Sequence, residues 1–311
     1  MIVTCPANDS EFRQALRLIL WQPGLGAADL DERVDVLRQY CTNHDLSLDN
    51  VLVAREDSAF VSACLCIDSP GRTSAVFVPV LDRQDRRTEV LVELLRQVVT
   101  AGCERGIVYL QAMVEPESRE VHVFREAGFT FLARMLYLES DLTQFFLPIA
   151  SAPSLNWETY NNQTHDLFSK VLVGTYEDSR DCPLLNGVRN VEDILAAHRS
   201  TGQFDARLWQ VACGPSGPVG ILLLAFIPER WSYEVVYMGL LPSCRGQGYA
   251  AALLGQAVRE ARERAVMKLT LSVDETNVPA RRWYERFGFR ERNRRDAWIR
   301  VLQAADSDSE R

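Results

Sequence analysis

Apolar positions along the chain switch between a helical and a strand period in one order, and that order occurs twice. In the first half, helices are expected near residues 10–20 and 29–41. Strands are expected near 51–55, 60–67 and 75–80. Val90, Leu91, Leu94, Leu95 and Val98 then mark one face of a helix. A strand at 107–114 (IVYLQAMV), a short helix ending in FREAGF and a strand at 133–140 (ARMLYLES) complete this half. In the second half a helix is expected over 157–173, followed by the polar loop GTYEDSRDCPLLNG and a short helix at 191–199. Strands follow near 208–213, 219–226 and 233–241, and Leu253, Leu254, Ala257, Val258 and Ala261 give an amphipathic helix over 250–265. KLTLSVD alternates as a half-buried strand, PARRWYERFG opens a helix at Pro279 and stops it at Gly288, and AWIRVL closes as a strand.

The two halves share landmarks. FREAGF (124–129) parallels YERFGF (284–289), and Pro79 lies nearly as far before Gly128 as Pro242 lies before Gly288. The repeat is domain-sized, so two tandem domains follow rather than a solenoid. They are expected at residues 1–148 and 149–311, with the boundary in FFLPIASAPSLNW, where Pro148 and Pro153 interrupt the pattern. The fold class is α/β (α+β), each domain a mixed, twisted sheet flanked by helices.

Composition narrows the function classes. The 311 residues are 47% hydrophobic and 24% charged, as in a soluble, core-forming protein. A net charge of −8 speaks against nucleic acid or an anionic membrane as partner. The start, MIVTCPANDSEFRQ, lacks the basic and apolar regions of a signal peptide, so a cytoplasmic location is expected. The eight cysteines form no CxxC pair and have no zinc-ligand spacing, so no metal is expected. The four histidines are scattered.

The chemistry concentrates in LLPSCRGQGYAAALL (240–254), where a strand runs through a glycine-bearing loop into a helix. The first turn of a helix offers free N–H groups and the positive end of its dipole. Glycines let a phosphate approach the backbone without meeting a Cβ, and Arg245 adds a charged fork. Taken alone, such a loop also serves as a tight turn.

Three elements in order extend the pattern. Leu240-Leu241-Pro242 precedes Arg245-Gly246-Gln247-Gly248-Tyr249-Ala250, and Asn277-Val278-Pro279-Ala280-Arg281-Arg282-Trp283-Tyr284 follows, closed by Gly288-Phe289. This region, about residues 205–303, resembles the GCN5-related N-acetyltransferases (GNAT), with their hydrophobic-x-Pro, Arg/Gln-x-x-Gly-x-Gly/Ala and Asn-x-x-Ala-x-x-x-Tyr signatures. The layout resembles that of tandem members of the family of the mycothiol synthase type, without carrying over their acceptor.

The resemblance implies acetyl-CoA as co-substrate. The amides from Arg245 to Ala250 would hold its pyrophosphate, and the backbone of Met238, Gly239 and Leu240 would pair with its pantetheine arm. An amide near Met238 or Gly239 would polarise the thioester carbonyl, and Asn277 would contact the CoA arm. Tyr284 would protonate the departing thiolate. Glu234, on the strand leading to Leu240, is the expected base, and strand alternation puts it on the face of Val236 and Met238 unless a bulge intervenes. The acidic loop with Tyr176, Glu177, Asp178 and Asp181 would form the rim of a pocket for a small-molecule or peptide amine.

The first half reads as a worn copy. Aligned on its proline, it has Asp82, Asp85 and Arg87 where the loop has Arg245, Gly248 and Ala250, and Phe124 where Tyr284 stands. The expected activity is therefore acetyl transfer to an amine in a ternary complex, carried by the second domain. Two other readings share these motifs: a transferase for another acyl-CoA, and a CoA-binding sensor or scaffold without turnover.

Overall fold

The structure is a computed structural model that describes residues 2–57, 59–81, 87–143, 154–185 and 189–302. Its first elements are β1 (Ile2–Thr4), α1 (Asp9–Leu20), α2 (Ala27–Asn43), β2 (Val51–Glu56), β3 (Ala59–Ser69) and β4 (Thr73–Phe77). Then come α3 (Thr88–Glu104), β5 (Tyr109–Val114), α4 (Glu120–Glu126), β6 (Thr130–Asp141), β7 (Asn156–Thr159), α5 (His165–Tyr176) and α6 (Val191–Arg199). β8 (Trp209–Gly214), β9 (Gly217–Ile227), β10 (Ser232–Leu240), α7 (Tyr249–Glu263), β11 (Lys268–Asp274), α8 (Val278–Arg286) and β12 (Arg290–Val301) complete the chain.

The chain forms two compact units: Met1–Leu132 with Arg295–Arg311, and Ala133–Arg294. Each is a mixed sheet with helices, as the repeated pattern predicts. In the first unit the strand order is β1-β2-β3-β4-β5-β12, antiparallel except for β4 beside β5. In the second it is β6-β11-β10-β9-β8-β7, with β10 parallel to β11.

The duplication reaches the level of single hydrogen bonds. After α4 the Phe129 N–H donates to the Phe124 carbonyl, and after α8 the Phe289 N–H donates to that of Tyr284, at 2.9 and 3.1 Å. Gly128 and Gly288 close the two turns at φ +80° and +84°, which glycine alone adopts without strain.

The division at 148/149 differs from these units, because the closing strands change places. Met135–Asp141 of β6 pairs with β11 in the second unit, and Asp296–Val301 of β12 pairs with β5 in the first. Leu136, Leu138 and Leu142 accordingly sit in the second core with Leu222, Leu224, Leu254, Leu269 and Leu271, while Trp298 and Leu302 sit in the first with Leu94, Leu95 and Phe124. The proline-bearing segment 145–153 expected as a linker lies outside the described residues.

The helix expected from residue 157 begins instead at His165. Trp157 lies in β7, and an Asx turn follows in which Asn161 Oδ1 accepts from the N–H groups of Gln163 and Thr164. Among the described residues no helix is long and apolar enough to cross a membrane.

Candidate active site

In the second unit β10 and β11 pair through Tyr233↔Leu269, Glu234↔Thr270 and Val235↔Leu271, and then part. β10 stays on β9 through Leu240, so its other edge from Met238 to Leu240 is bare and lines a cleft of about 770 Å³. Gly246, Gly248, Ala250, Asn277, Asp181 and Tyr284 line the same cleft. Gly239 is required here, because a Cβ on it would lie 2.8 Å from both the Thr175 Cβ and the Tyr237 hydroxyl.

The glycine loop meets the requirement read from its sequence. Gly246 and Gly248 take φ of +73° and +85°, and Gly248 is the N-cap of α7. The space where a Gly246 Cβ would point is open. Among the described residues the N–H groups of Gly246, Gln247, Gly248, Tyr249 and Ala250 have no acceptor. Consecutive bare amides at a helix start are the kind of backbone arrangement that can bind an anion.

The Arg245 side chain is not the phosphate fork expected for it. Its Nε donates to the Leu240 carbonyl at 3.2 Å, Nη1 to Asp178 at 3.3 Å, and Nη2 to Thr175 and Glu177 at 3.0 and 2.6 Å. The guanidinium thus caps the C-terminal carbonyls of α5, where the helix dipole favours a cation. Gln247 donates back to the Ser243 carbonyl at 2.6 Å, and Tyr249 packs against the cluster of Ala212, Val219 and Leu253.

Tyr284 is 8% exposed, packed edge-on against Trp283 and Phe289, and burial raises its phenol above the ordinary range. Among the described residues its hydroxyl has no hydrogen-bond partner. Tyr237 also lines the cleft, but its hydroxyl is committed. Thr175 Oγ1 spends its own proton on the Leu172 carbonyl at 2.6 Å and therefore accepts from Tyr237 at 2.9 Å. Burial pushes the Tyr237 phenol up to about 12. Asn277 caps α8, its Oδ1 accepting from the Ala280 N–H, and its side chain also hydrogen-bonds Asp181.

The acidic loop after α5 is fastened to the end of β11. Asp274 N–H donates to Asp181 Oδ1 at 2.8 Å, and Cys182 N–H donates to Asp274 Oδ2 at 3.2 Å. Asp274 Oδ1 also accepts from the Thr276 N–H and hydroxyl, each at 2.8 Å. Of the four acceptor-rim residues expected in this loop, Asp178 and Asp181 line the cleft. Tyr176 instead packs against Tyr237, with its hydroxyl 3.5 Å from His198 Nε2, and Glu177 contributes its carbonyl to Arg245. His198 is held down to about 4 by burial, and Cys182 is pushed up to about 12, which makes the thiol inert near neutral pH.

Glu234 is not among the residues that line the cleft, and a bulge changes the face expected for it. Val235 pairs with Leu224 and Tyr237 with Leu223, so Val236 is the extra residue. One inserted residue reverses the alternation: Glu234 shares a face with Tyr237, and Met238 shares the opposite one with Val235. Burial raises the Glu234 carboxyl, partly offset by Arg230.

The profile of the "Acetyltransferase (GNAT) family" matches residues 175–289, which carry the loop, the bare strand edge and Tyr284. The uncharacterized N-acetyltransferase YycN of Bacillus subtilis is 30% identical over 152 residues, 48% of this chain and 94% of that protein. The chain belongs to the GNAT acetyltransferase family. A mycothiol acetyltransferase of Beutenbergia cavernae is 28% identical over 103 residues, 33% of this chain, which spans only 35% of that relative's length. Among solved structures, a GNAT protein from Sphaerobacter thermophilus superimposes with a TM-score of 0.57 at 18% identity, over 97% of this chain and 96% of its own. A tandem GNAT protein from the clavulanic acid biosynthesis pathway does so with 0.50 at 16% identity, over 98% and 99%. The whole chain thus has the tandem GNAT fold.

The first GNAT unit treats the equivalent positions differently. Its β4 and β5 also part after three pairs, Thr73↔Tyr109 to Ala75↔Gln111. Phe124, fully buried, replaces Tyr284, and Glu120 stands where the cleft of the second unit has Ala280. The buried Glu120 carboxyl accepts from the Leu81 N–H, so a side chain of this unit takes up a backbone donor after β4. Asp82 and Asp85 lie outside the described residues, and Arg87 precedes α3 as its N-cap.

Sequence reasoning missed Thr175, Tyr237 and Asp274 in the second unit. Thr175 and Tyr237 give no local signal, since their pairing joins α5 to β10. Asp274, in SVDETN just before Asn277, was readable only as a strand end.

Proposed function

We propose that the second unit transfers an acetyl group from acetyl-CoA directly to the amine of a small molecule or peptide, both bound at once. The observation that carries this reading is the run of five unpartnered amides, Gly246 to Ala250, opening onto a cleft beside the bare edge of β10. A diphosphate satisfies the amides, and an extended amide-bearing arm satisfies the strand edge. The amides near Met238 and Gly239 polarise the thioester carbonyl, Tyr284 supplies the proton to sulfur, and proximity in the ternary complex contributes much of the rate. The missing hydroxyl at Phe124 and the Glu120 side chain bound to the Leu81 N–H support assigning the activity to the second unit alone.

The test is CoA release from acetyl-CoA with a panel comprising a polyamine, a peptide with a free α-amino group and an aminoglycoside. Release with at least one amine, and N-acetylated product by mass spectrometry, is the expected result. Tight acetyl-CoA binding without release for any of them would instead make the protein a CoA sensor.

Gly248→Asp tests the amide site separately. It forces a side chain into a left-handed conformation and sets a carboxylate among the anion-binding amides. Calorimetric titration is expected to show at least a ten-fold loss of acetyl-CoA affinity, about 1.4 kcal/mol. Unchanged affinity would place the diphosphate elsewhere.

A further inference from the structure

Acetylation of an ammonium needs a base, because amines of pKa about 10 are almost fully protonated near neutrality. Glu234, three pairs of β10 before Met238, is not among the residues that line the cleft, whereas Asp181 is. We propose that Asp181, held at the cleft wall by the end of β11 and by Asn277, takes the proton from the incoming ammonium of the acceptor. The assignment rests on the reading of the cleft as an acetyl-transfer site.

Asp178 and Asp181 both line the cleft, and among the described residues the Asp181 carboxyl is the one held by hydrogen bonds. Oδ1 of Asp181 is occupied by the Asp274 N–H, and Asn277 hydrogen-bonds the same carboxyl. Asp274, its acidic neighbour, is saturated differently: the Cys182 N–H, the Thr276 N–H and the Thr276 hydroxyl all donate to it. Two carboxylates side by side with unequal donor sets divide their roles, one structural and one able to exchange protons.

The titratable groups around Asp181 come from every element packed there. Asp274 faces it from β11, Tyr284 from α8, Tyr237 from β10, Tyr176 from α5 and Cys182 from the same loop. Asp178 and Arg180 of that loop line the same cleft, and Arg245 faces Tyr237. Burial first, and then the charge of Asp274, raise the Asp181 carboxyl, while the Asp274 N–H and Asn277 pull the other way. A raised carboxyl is a stronger base once ionised, and its ionised fraction rises with pH across a limb above the ordinary carboxylate range.

The protons balance. Asp181 accepts one ammonium proton, the freed nitrogen forms the C–N bond to the acyl carbon, and the C–S bond breaks with its electron pair on sulfur. Tyr284 gives its proton to that thiolate and is reprotonated, through water, by the second proton that leaves nitrogen as the amide forms. Asp181 returns its proton to solvent, so each turnover of an ammonium releases one proton.

The experiment compares Asp181→Asn, Asp181→Glu and Glu234→Gln in the full chain, using the amine that releases CoA fastest. Asparagine keeps an oxygen for the Asp274 N–H, so the loop stays fastened, and acetyl-CoA affinity within two-fold of wild type verifies the fold. In Asp181→Asn, kcat/KM for the amine is expected to fall about 100-fold or more, and the rising limb of its pH profile to disappear. Asp181→Glu is expected to restore the limb in part. An Asp181→Asn profile that keeps the limb, or loss of the limb in Glu234→Gln instead, overturns the assignment. A wild type that releases no CoA with any amine sinks the acetyl-transfer reading and this assignment together; an active wild type with an unaltered Asp181→Asn sinks this assignment alone.

Discussion

A fragment of residues 149–311 is expected to lose cooperative folding, although it contains every motif of the second GNAT copy. It lacks β6 and the residue after it, and with them Leu136, Leu138 and Leu142, which are 2%, 5% and 0% exposed in the core of the second unit. Truncating one buried leucine costs about 2–5 kcal/mol. Three together rival the about 5–15 kcal/mol by which a domain is stable at all. β11 also loses its antiparallel partner from Lys268 to Asp274, which bares a hydrophobic strand edge. The Leu142 carbonyl that accepts from Arg262 Nη2 goes with it. Residues 133–294 are the contrasting fragment, expected to give a cooperative melt by circular dichroism and to bind acetyl-CoA. A 149–311 fragment that melts in one transition within a few degrees of the full chain would refute the strand exchange.

Tyr284→Phe is expected to lower kcat by about 100-fold or more while leaving acetyl-CoA affinity and thermal stability nearly unchanged. The ring contacts with Trp283 and Phe289 survive the change, and among the described residues the hydroxyl has no hydrogen-bond partner to lose. Only the proton is removed. Burial holds the phenol protonated well past the point at which a thiol of pKa about 8.5 ionises, so the hydroxyl is available as an acid whenever thiolate departs. Tyr237 is no substitute, because its proton is engaged with Thr175. Stopped assays of CoA release, paired with calorimetric titration, separate the two quantities. An unchanged kcat would assign the acid to water or another group.

The parts of this site that are legible in sequence are the ones confined to short segments. Gly246 and Gly248 announce a loop with bare amides because only their positive φ lets the chain expose successive N–H groups. FREAGF and YERFGF announce the duplication because each closes its own helix. The edge strands β1 and β7 are short and carry too little alternation to be read. The first part of β12, RERNRR, hides its strand character behind charges on both faces, which pair with Glu139, Glu275 and Glu291. The Asx turn at Asn161 is a local device, yet the apolar residues that flank it hide it within a helical pattern.

The sequence by itself determined the tandem fold and the glycine-bearing turn that opens α7, since each rests on residues close together in the chain. Only the tertiary structure decided which strand completes which sheet, where Arg245 spends its charge and which carboxyl groups line the cleft. The Arg245 bond to Thr175 spans 70 residues and the Asp181 bond to Asp274 spans 93. A single bulged residue moved Glu234 to the other face from Met238, and no periodicity read along one strand reveals a register that is set by its neighbour.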